Sequence, residues 1–437
     1  MTDQDYMKRA IELAKQGAGW TAPNPMVGAV VVKDGRIIGE GYHRKYGELH
    51  AERNALAACT EDPAGATIYV TLEPCCHYGK TPPCTEIILE KKIARVVIGS
   101  RDPNPKVAGK GARILREHGL QVEEDFMRDA CDALNPVFFH YITTGLPYVV
   151  MKYAMTIDGK IATRTGASKW ITGESAREHV HRLRGRYAAI MAGIGTVLAD
   201  DPMLNCRIEG GHQPLRIVCD SKLRIPVDSR IMKSAKEYPT LIACSERIMM
   251  DSDSANGSPN GNWNNLNKER NANLEPDAEL AGRPDSNTDE SLTEKLDSNP
   301  SNNMAGNPAD TQARLMAKKA TLESMGAKVW LLPEKDGHID LAALMKRLGE
   351  ERIDSVLIEG GGTLNQSALE AGIVRHVYAY IAPKILGGRD AKTPVEGLGV
   401  QLPDQGTKLR LGKISVLLSD ILLEYDVEGD MTCSPEL

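Results

Sequence analysis

The sequence predicts a mixed α/β protein built in two halves. Three observations carry this. A length of 437 residues exceeds one typical core, and a 41% hydrophobic content is ordinary for a globular chain. Short apolar runs alternate with helical patterns along both halves. Between them, Gly145-Leu146-Pro147 interrupts the pattern and places a boundary.

In the N-terminal half, Met7 to Lys15 reads as an amphipathic helix. Val27 to Val32 and Ile37 to Gly41 form a hairpin around Asp34-Gly35, because an Asp-Gly turn supplies the positive φ angles that two-residue hairpins need. Helix Glu52–Ala58, strand Thr67–Thr71, helix Cys84–Lys92 and strand Arg95–Gly99 follow in alternation. Asn104 to Gly111 is a Pro/Gly-rich connection, Ala112 to His118 a helix, and Met127 to His140 one further helix.

The second half opens on strand Tyr148–Tyr153. Strands Arg216–Cys219, Thr240–Cys244, Val329–Leu332 and Ser355–Ile358 follow, with helices near Arg314–Met325, at Leu341–Leu348 and at Leu364–Ala371. Asp251 to Thr311 breaks the pattern: it is rich in Asn, Ser, Asp, Glu, Gly and Pro and poor in large apolar groups. Such a segment cannot bury enough surface to offset chain entropy, and is expected to be a disordered surface insert that the fold tolerates.

Chemistry concentrates in His50-Ala51-Glu52 and in Pro74-Cys75-Cys76-His77-Tyr78-Gly79-Lys80-Thr81-Pro82-Pro83-Cys84. An imidazole and two thiols, His50, Cys75 and Cys84, suit Zn²⁺ and leave one tetrahedral position for a water. Zinc lowers that water's pKa from ~15.7 towards ~7. Glu52, near a helix start, is placed to move the water's proton to a ring nitrogen, so that attack at an amidine-like carbon expels ammonia. The Cys75 to Cys84 step of nine residues departs from the three-residue step of the common deaminase signature. Gly79 and Pro82-Pro83 read as a turn that starts a helix at Cys84, whose dipole favours a thiolate. A closed structural zinc site, with Cys76 or His77 as fourth ligand, is the plain alternative, and Cys76 itself reads as a bystander.

A net charge of −6 and a pI near 6.0 argue against a nucleic-acid footprint and favour a small-molecule substrate. No run approaches a membrane span, and Met1 to Lys15 lacks the pattern of a signal peptide. A cytoplasmic location follows, where nine cysteines stay reduced. The loop Glu359-Gly360-Gly361-Gly362, between a strand and a helix, suits phosphate binding by backbone N–H groups, although plain tight turns share the pattern. No G-x-G-x-x-G occurs in that stretch.

Asn24-Pro25-Met26-Val27-Gly28-Ala29-Val30, His50-Ala51-Glu52, Glu73-Pro74-Cys75, His77, Gly79 and Thr81-Pro82-Pro83-Cys84 together resemble the bifunctional riboflavin-biosynthesis deaminase/reductases. The resemblance continues through Asp102-Pro103-Asn104-Pro105, Lys152 to Ala162, Lys169-Trp170-Ile171-Thr172 and Gly195 to Pro202, and covers nearly the whole chain outside the insert. It implies a cytidine-deaminase-like three-layer domain over 1–145 and a dihydrofolate-reductase-like domain over 147–430. It implies NADPH at Ala154, Trp170, Thr196, Asp200, Ser221 and the turn Gly361, Gly362, Thr363, Leu364, Asn365, Gln366 and Ser367. It places the phosphorylated pyrimidine substrate against Ser168, Arg184, Leu204, Arg207 and Glu359, and implies a homodimer paired through the reductase domains.

On chemistry, Arg184 and Arg207 can each clamp a phosphate bidentately. Lys222 and Arg224, beside Ser221, are expected to hold the 2′-phosphate of NADPH. Lys152 and Asp200 are the ionisable groups expected to polarise or protonate the opened sugar, unless their role is positional. A nucleic-acid base deaminase, and a zinc-stabilised interaction protein without catalysis, stand as the alternatives.

Overall fold

The computed structural model describes residues 1–79, 81–104, 107–249 and 308–428. The expected insert lies outside the described residues except for 308–311, which open a helix instead of ending a loop. Pro308 suits a first helical turn, where its missing N–H is not needed. Residues 1–247 and 319–437 pack as one unit, and 248–318 separate as another, whose described part is 248–249 and 308–318.

In the N-terminal half, α1 (Asp3–Lys15) begins four residues before the predicted start because Thr2 and Asp5 form a capping box. Such a cap contributes about 1 kcal/mol. Then come β1 (Gly28–Lys33), β2 (Arg36–Tyr42), α2 (Ala51–Ala57), β3 (Thr67–Leu72), α3 (Cys84–Glu90), β4 (Arg95–Ser100), α4 (Lys110–Glu117) and β5 (Gln121–Glu123). The predicted hairpin is present, with Asp34 and Gly35 at φ +48° and +74°. The predicted helix over 127–140 is instead two, α5 (Arg128–Asp132) and α6 (Pro136–Thr144), because Pro136 cannot continue a helix but readily starts one.

The sheet runs β2-β1-β3-β4-β5, antiparallel on either side of β1 and parallel from β3 to β5. Strand alternation divides its side chains between two helical layers. Ala29, Val31, Ile68, Val70, Val96 and Ile98 share a core with residues of α2, α3 and α4. Val30, Val32, Tyr69 and Val97 pack against α1 and Cys131 of α5. Each large aliphatic so buried contributes ~1.5–3 kcal/mol. The result is the three-layer arrangement.

The C-terminal half contains β6 (Tyr148–Thr156), α7 (Glu174–Arg186), β7 (Ala189–Gly193), α8 (Ile194–Asp200), β8 (Leu215–Cys219), α9 (Arg230–Lys233) and β9 (Thr240–Ser245). Next come α10 (Pro308–Ser324), β10 (Lys328–Leu332), β11 (Glu334–Lys335), β12 (His338–Ile339), α11 (Leu341–Glu350), β13 (Ser355–Ile358), α12 (Gly362–Glu370), β14 (Val374–Ala382), β15 (Leu409–Leu417) and β16 (Asp420–Val427). The large sheet runs β10-β9-β8-β7-β13-β6-β14-β16-β15, parallel as far as β14 and antiparallel in its last two strands. The chain first walks outward from β7 to β10, then returns to lay β13 between β7 and β6. That reversal is where open α/β sheets bind ligands, beyond the carboxyl ends of the strands.

The halves meet main chain to main chain. A Cβ built on Gly19 (φ +81°) would lie 2.3 Å from the Gly185 carbonyl oxygen, and one on Gly349 would lie 2.0 Å from that of Gly145. Tyr141 donates its hydroxyl to the Gly349 carbonyl at 3.0 Å, and Trp20 meets His212 edge to face at 6.0 Å. No helix among the described residues is long and apolar enough to cross a membrane.

Candidate active sites

The first site forms where three local structures converge. His50 is the N-cap of α2 in extended conformation, which places its ring beyond the helix end and Glu52 in the first turn. Cys75 follows the carboxyl end of β3, and Cys84 is the first residue of α3. The intervening turn is braced by Arg53, which donates to the Pro82 and Pro83 carbonyls at 3.2 and 2.9 Å. Thr85 N–H donates to the Cys75 carbonyl at 3.2 Å and Cys84 N–H to Cys75 Sγ at 3.3 Å. The nine-residue step therefore brings its two thiols to one point.

His50 Nδ1 lies 3.5 Å from Cys75 Sγ and 3.4 Å from Cys84 Sγ. Zn–N and Zn–S bonds of ~2.0 and ~2.3 Å at a tetrahedral angle span about 3.6 Å, so the donor set fits zinc. Among the described residues these three form the one group whose ligand atoms all lie within 4.8 Å of one another. Cys76 and His77 are outside it, so neither closes the fourth position. Without metal, hydrogen bonds from Cys84 and His50 hold the Cys75 thiol down at about 4, while the Cys84 thiol is raised as the donor to Cys75 and by its burial. A bound dication deprotonates coordinating thiols outright.

Glu52 is buried at 3% exposure and contacts Cys84 without belonging to the ligand group. Burial, then the Cys75 charge, push its carboxyl up to about 7. A carboxyl near neutrality can take up and release a proton at working pH. Several neighbours were not read from the sequence. His43 stands edge to face with His50 at 5.3 Å and is held by the Leu49 carbonyl and Asn24. Glu73 accepts backbone N–H groups from Gly109 at 2.9 Å, Ala112 at 3.2 Å and Asp102 at 3.5 Å, tying down the Pro/Gly-rich connection. Asp102 is raised to about 7 by burial, with Glu73 adding to it. The signal for both was present in Glu73-Pro74 and Asp102-Pro103, where a chemical type sits beside a turn.

The second site lies at the carboxyl ends of β6, β7, β8 and β13. Glu359, just beyond β13, takes Arg184 Nε and Nη2 at 2.7 and 2.8 Å, and Lys152 Nζ stands 3.8 Å away. The planar fork of Arg184, expected to clamp a phosphate, is here engaged by the nearest carboxylate. Its Nη1 donates to the Asn205 carbonyl at 3.2 Å. Arg207 is exposed. Burial lowers Lys152, and His181 falls to about 4 through burial and the Arg184 and Arg207 charges.

Of the three loop glycines, Gly361 alone faces open space, with Thr196 Oγ1 as the nearest atom to a built Cβ at 3.8 Å. A Cβ on Gly360 would strike Leu364, and one on Gly362 would strike Glu396 Cγ at 2.4 Å. Thr196 and Asp200 lie on α8 opposite this turn, and Ser168 donates to Asp200 at 3.1 Å. Leu364 packs against Gly360. Asn365 donates to the Pro394 carbonyl, Gln366 to Glu370, and Ser367 to the Thr363 carbonyl, so these three side chains face away from the turn's mouth. Trp170 is exposed, with Arg177 over its ring at 4.7 Å. Ser221 follows β8 and accepts from Ser245 N–H, while Arg224 leans to Asp220 at 3.9 Å and Lys222 is exposed. Ala154 is half-buried on β6.

Comparison with known proteins covers both sites. Residues 1–100 match the family described as the cytidine and deoxycytidylate deaminase zinc-binding region, and residues 147–254 and 295–423 match the RibD C-terminal domain. The riboflavin biosynthesis protein RibD of Actinobacillus pleuropneumoniae is 48% identical over 427 residues, covering 98% of this chain and 96% of the relative. That of Bacillus amyloliquefaciens is 37% identical over 422 residues, covering 96% and 95%. The solved RibD of Acinetobacter baumannii superposes with a TM-score of 0.74 at 32% identity, over 98% of this chain and 99% of that one. A diaminohydroxyphosphoribosylaminopyrimidine deaminase/5-amino-6-(5-phosphoribosylamino)uracil reductase from Thermotoga maritima gives 0.72 at 33% identity, over 97% and 98%. The fold is thus a cytidine-deaminase domain followed by a dihydrofolate-reductase-like one, and the nucleic-acid and non-catalytic alternatives fall away. The chain belongs to the RibD family of riboflavin biosynthesis, a bifunctional deaminase and reductase with its zinc site at His50, Cys75 and Cys84.

Proposed function

We propose that residues 1–145 deaminate 2,5-diamino-6-(5-phosphoribosylamino)pyrimidin-4(3H)-one and that residues 147–430 reduce the ribosyl chain of the product to ribityl with NADPH. The observation that carries the first step is a buried carboxyl, Glu52, against a three-ligand zinc site with one coordination position to spare. Bound zinc supplies an acidified water. Glu52 would take one proton of the attacking water to the ring nitrogen and then the second to the amino group, whose C–N bond breaks as the carbonyl forms and ammonia leaves. Its burial excludes competing solvent and keeps the carboxyl poised to exchange that proton.

For the second step, the nicotinamide supplies the hydride. The protein's part is orientation. Gly361 is the N-cap of α12 with Thr196 beside it, and the free N–H groups of a helix N-terminus suit a pyrophosphate. Lys152, in ion-pair range of Glu359, is the group we assign to protonate the opened sugar, with Ser168, Arg184, Leu204, Arg207 and Glu359 lining the substrate. Ser221, with Lys222 and Arg224, is assigned to the 2′-phosphate, and equal use of NADH and NADPH would remove that assignment. A homodimer is supported by the outer strand β15, where Leu409, Leu411, Ile414 and Val416 are all exposed. A reducing, cytoplasmic setting keeps the zinc thiols available.

The test measures ammonia release and NADPH oxidation by the wild type and by Glu52→Gln. Glu52→Gln should lose at least ~100-fold in ammonia release while keeping zinc and the reductase step. Full ammonia release by Glu52→Gln would sink the assignment.

A further inference from the structure

Leu204, a residue 3% exposed, is held in the left-handed region at φ +49°. Residues with a Cβ avoid that region, so the surroundings must over-determine it. They do so from both sides. Arg216 Nη1 donates to the Met203 carbonyl at 3.1 Å, and Arg184 Nη1 donates to the Asn205 carbonyl at 3.2 Å.

Arg184 has a carboxylate partner in Glu359. Arg216 is fully buried and has no carboxylate in ion-pair range among the described residues. Its remaining donors reach Ser234 Oγ at 2.8 Å, the Ile231 and Tyr238 carbonyls at 3.0 and 3.2 Å, and Thr240 Oγ1 at 2.6 Å. Its guanidinium lies over the Tyr238 ring at 5.2 Å, and its Nε has no partner. A buried cation bound by carbonyls and hydroxyls alone is a poor stabiliser, because an apolar chain of similar volume escapes the desolvation penalty. What a guanidinium adds is direction: a rigid planar fork tied down at Ile231, Tyr238 and Thr240 presents its other edge at one fixed place. Met203 sits there.

We propose that Arg216 is a positioning residue of the reductase, which holds the Met203 carbonyl before Leu204 while Arg184 holds the Asn205 carbonyl after it, and so fixes the main chain that meets the phosphorylated substrate. This rests on the reading that Leu204 lines the substrate. A glycine adopts positive φ without penalty, so Leu204→Gly should make the clamp dispensable.

The experiment is a double-mutant cycle on the full chain, with KM for the ribosylamino-uracil substrate, KM for NADPH and ammonia release as readouts. Arg216→Met should raise the substrate KM about tenfold and leave the other two unchanged. In the Leu204→Gly background the same substitution should change the substrate KM by less than about twofold, an interaction a purely structural arginine does not show. An equal rise in both backgrounds, or an equal rise in the NADPH KM, overturns the proposal. Leu204→Gly alone should itself raise the substrate KM; if it does not, the substrate reading of Leu204 fails and the clamp with it. Should Arg216→Met not accumulate as folded protein, Arg216→Lys, which keeps the charge but not the fork, enters the same cycle under the same criteria.

Discussion

Arg184 and Glu359, 175 positions apart, meet as a bidentate pair with Nε at 2.7 Å and Nη2 at 2.8 Å from the two carboxylate oxygens. The pair joins α7 to the loop beyond β13 at the point where the large sheet reverses its strand order. Burial alone would raise Glu359, but the Arg184 charge and hydrogen bonds, followed by Lys152 and His181, hold its carboxyl at about 2.

That depression sets an acid limit on stability. The folded value lies below the ordinary 4.5, so the contribution is complete above pH ~4.5 and is lost as the pH falls towards 2. A shift of this size corresponds to roughly 3 kcal/mol. Thermal melts of the wild type should lose Tm steeply across this window. Arg184→Met, which leaves a buried carboxylate with only Lys152 in ion-pair range among the described residues, should cost about 3 kcal/mol at pH 7 and flatten the acid limb. An unchanged limb in Arg184→Met would remove the pair as its cause.

Removal of metal should separate the two activities. Cys84→Ser, or exhaustive chelation of the wild type, should abolish ammonia release and reduce bound zinc below one per chain by metal analysis. NADPH oxidation on preformed uracil substrate should persist within about twofold, because effects confined to well-separated sites couple by little. Loss of both activities together would show that zinc supports the second half as well.

Much of the first site was legible because its residues carry their chemistry locally. His50 and Glu52 sit two residues apart at a helix start, and the Pro82-Pro83 turn announces the helix that presents Cys84. The second site was legible in strand positions and in the glycine loop, but not in its pairings. Nothing local to Arg184 indicates Glu359, and nothing near Gly362 indicates Glu396, since such partners are chosen by the sheet's strand order. The break at Asn135-Pro136 was legible and passed over: a proline inside a helical pattern ends it. The hairpin β15–β16 left little trace because β15 is exposed along most of its length, so no buried alternation marks it.

Two neighbouring glycines should behave differently when given a methyl group. Gly362→Ala meets Glu396 Cγ at 2.4 Å and should destabilise the reductase half by about 1–3 kcal/mol, read as a lowered denaturant midpoint. Gly361→Ala has room, with Thr196 Oγ1 at 3.8 Å, and should leave the midpoint nearly unchanged while raising the KM for NADPH several-fold. Equal loss of stability in the two would argue against room for a methyl group at Gly361.

Glu73 should prove to be the anchor of the connection after β4. A glutamine there has one carbonyl oxygen in place of two carboxylate oxygens, and the bonds from Gly109 and Ala112 reach different oxygens. Glu73→Gln should cost about 1–3 kcal/mol and speed amide hydrogen exchange at Gly109 and Ala112. Unaltered exchange at both amides would show that the segment is held from elsewhere.

The seam at Gly19–Gly185 and Gly145–Gly349 bears on how such a chain can drift and be rearranged. At these two points backbone lies on backbone, so a change on one side cannot be absorbed by trimming the group it meets, and compensation falls to the side chains beside them, Tyr141 and Trp20. Fusing either half to an unrelated partner, or encoding the two on separate genes, would expose these peptide surfaces together with the Tyr141 and Trp20 contacts that flank them.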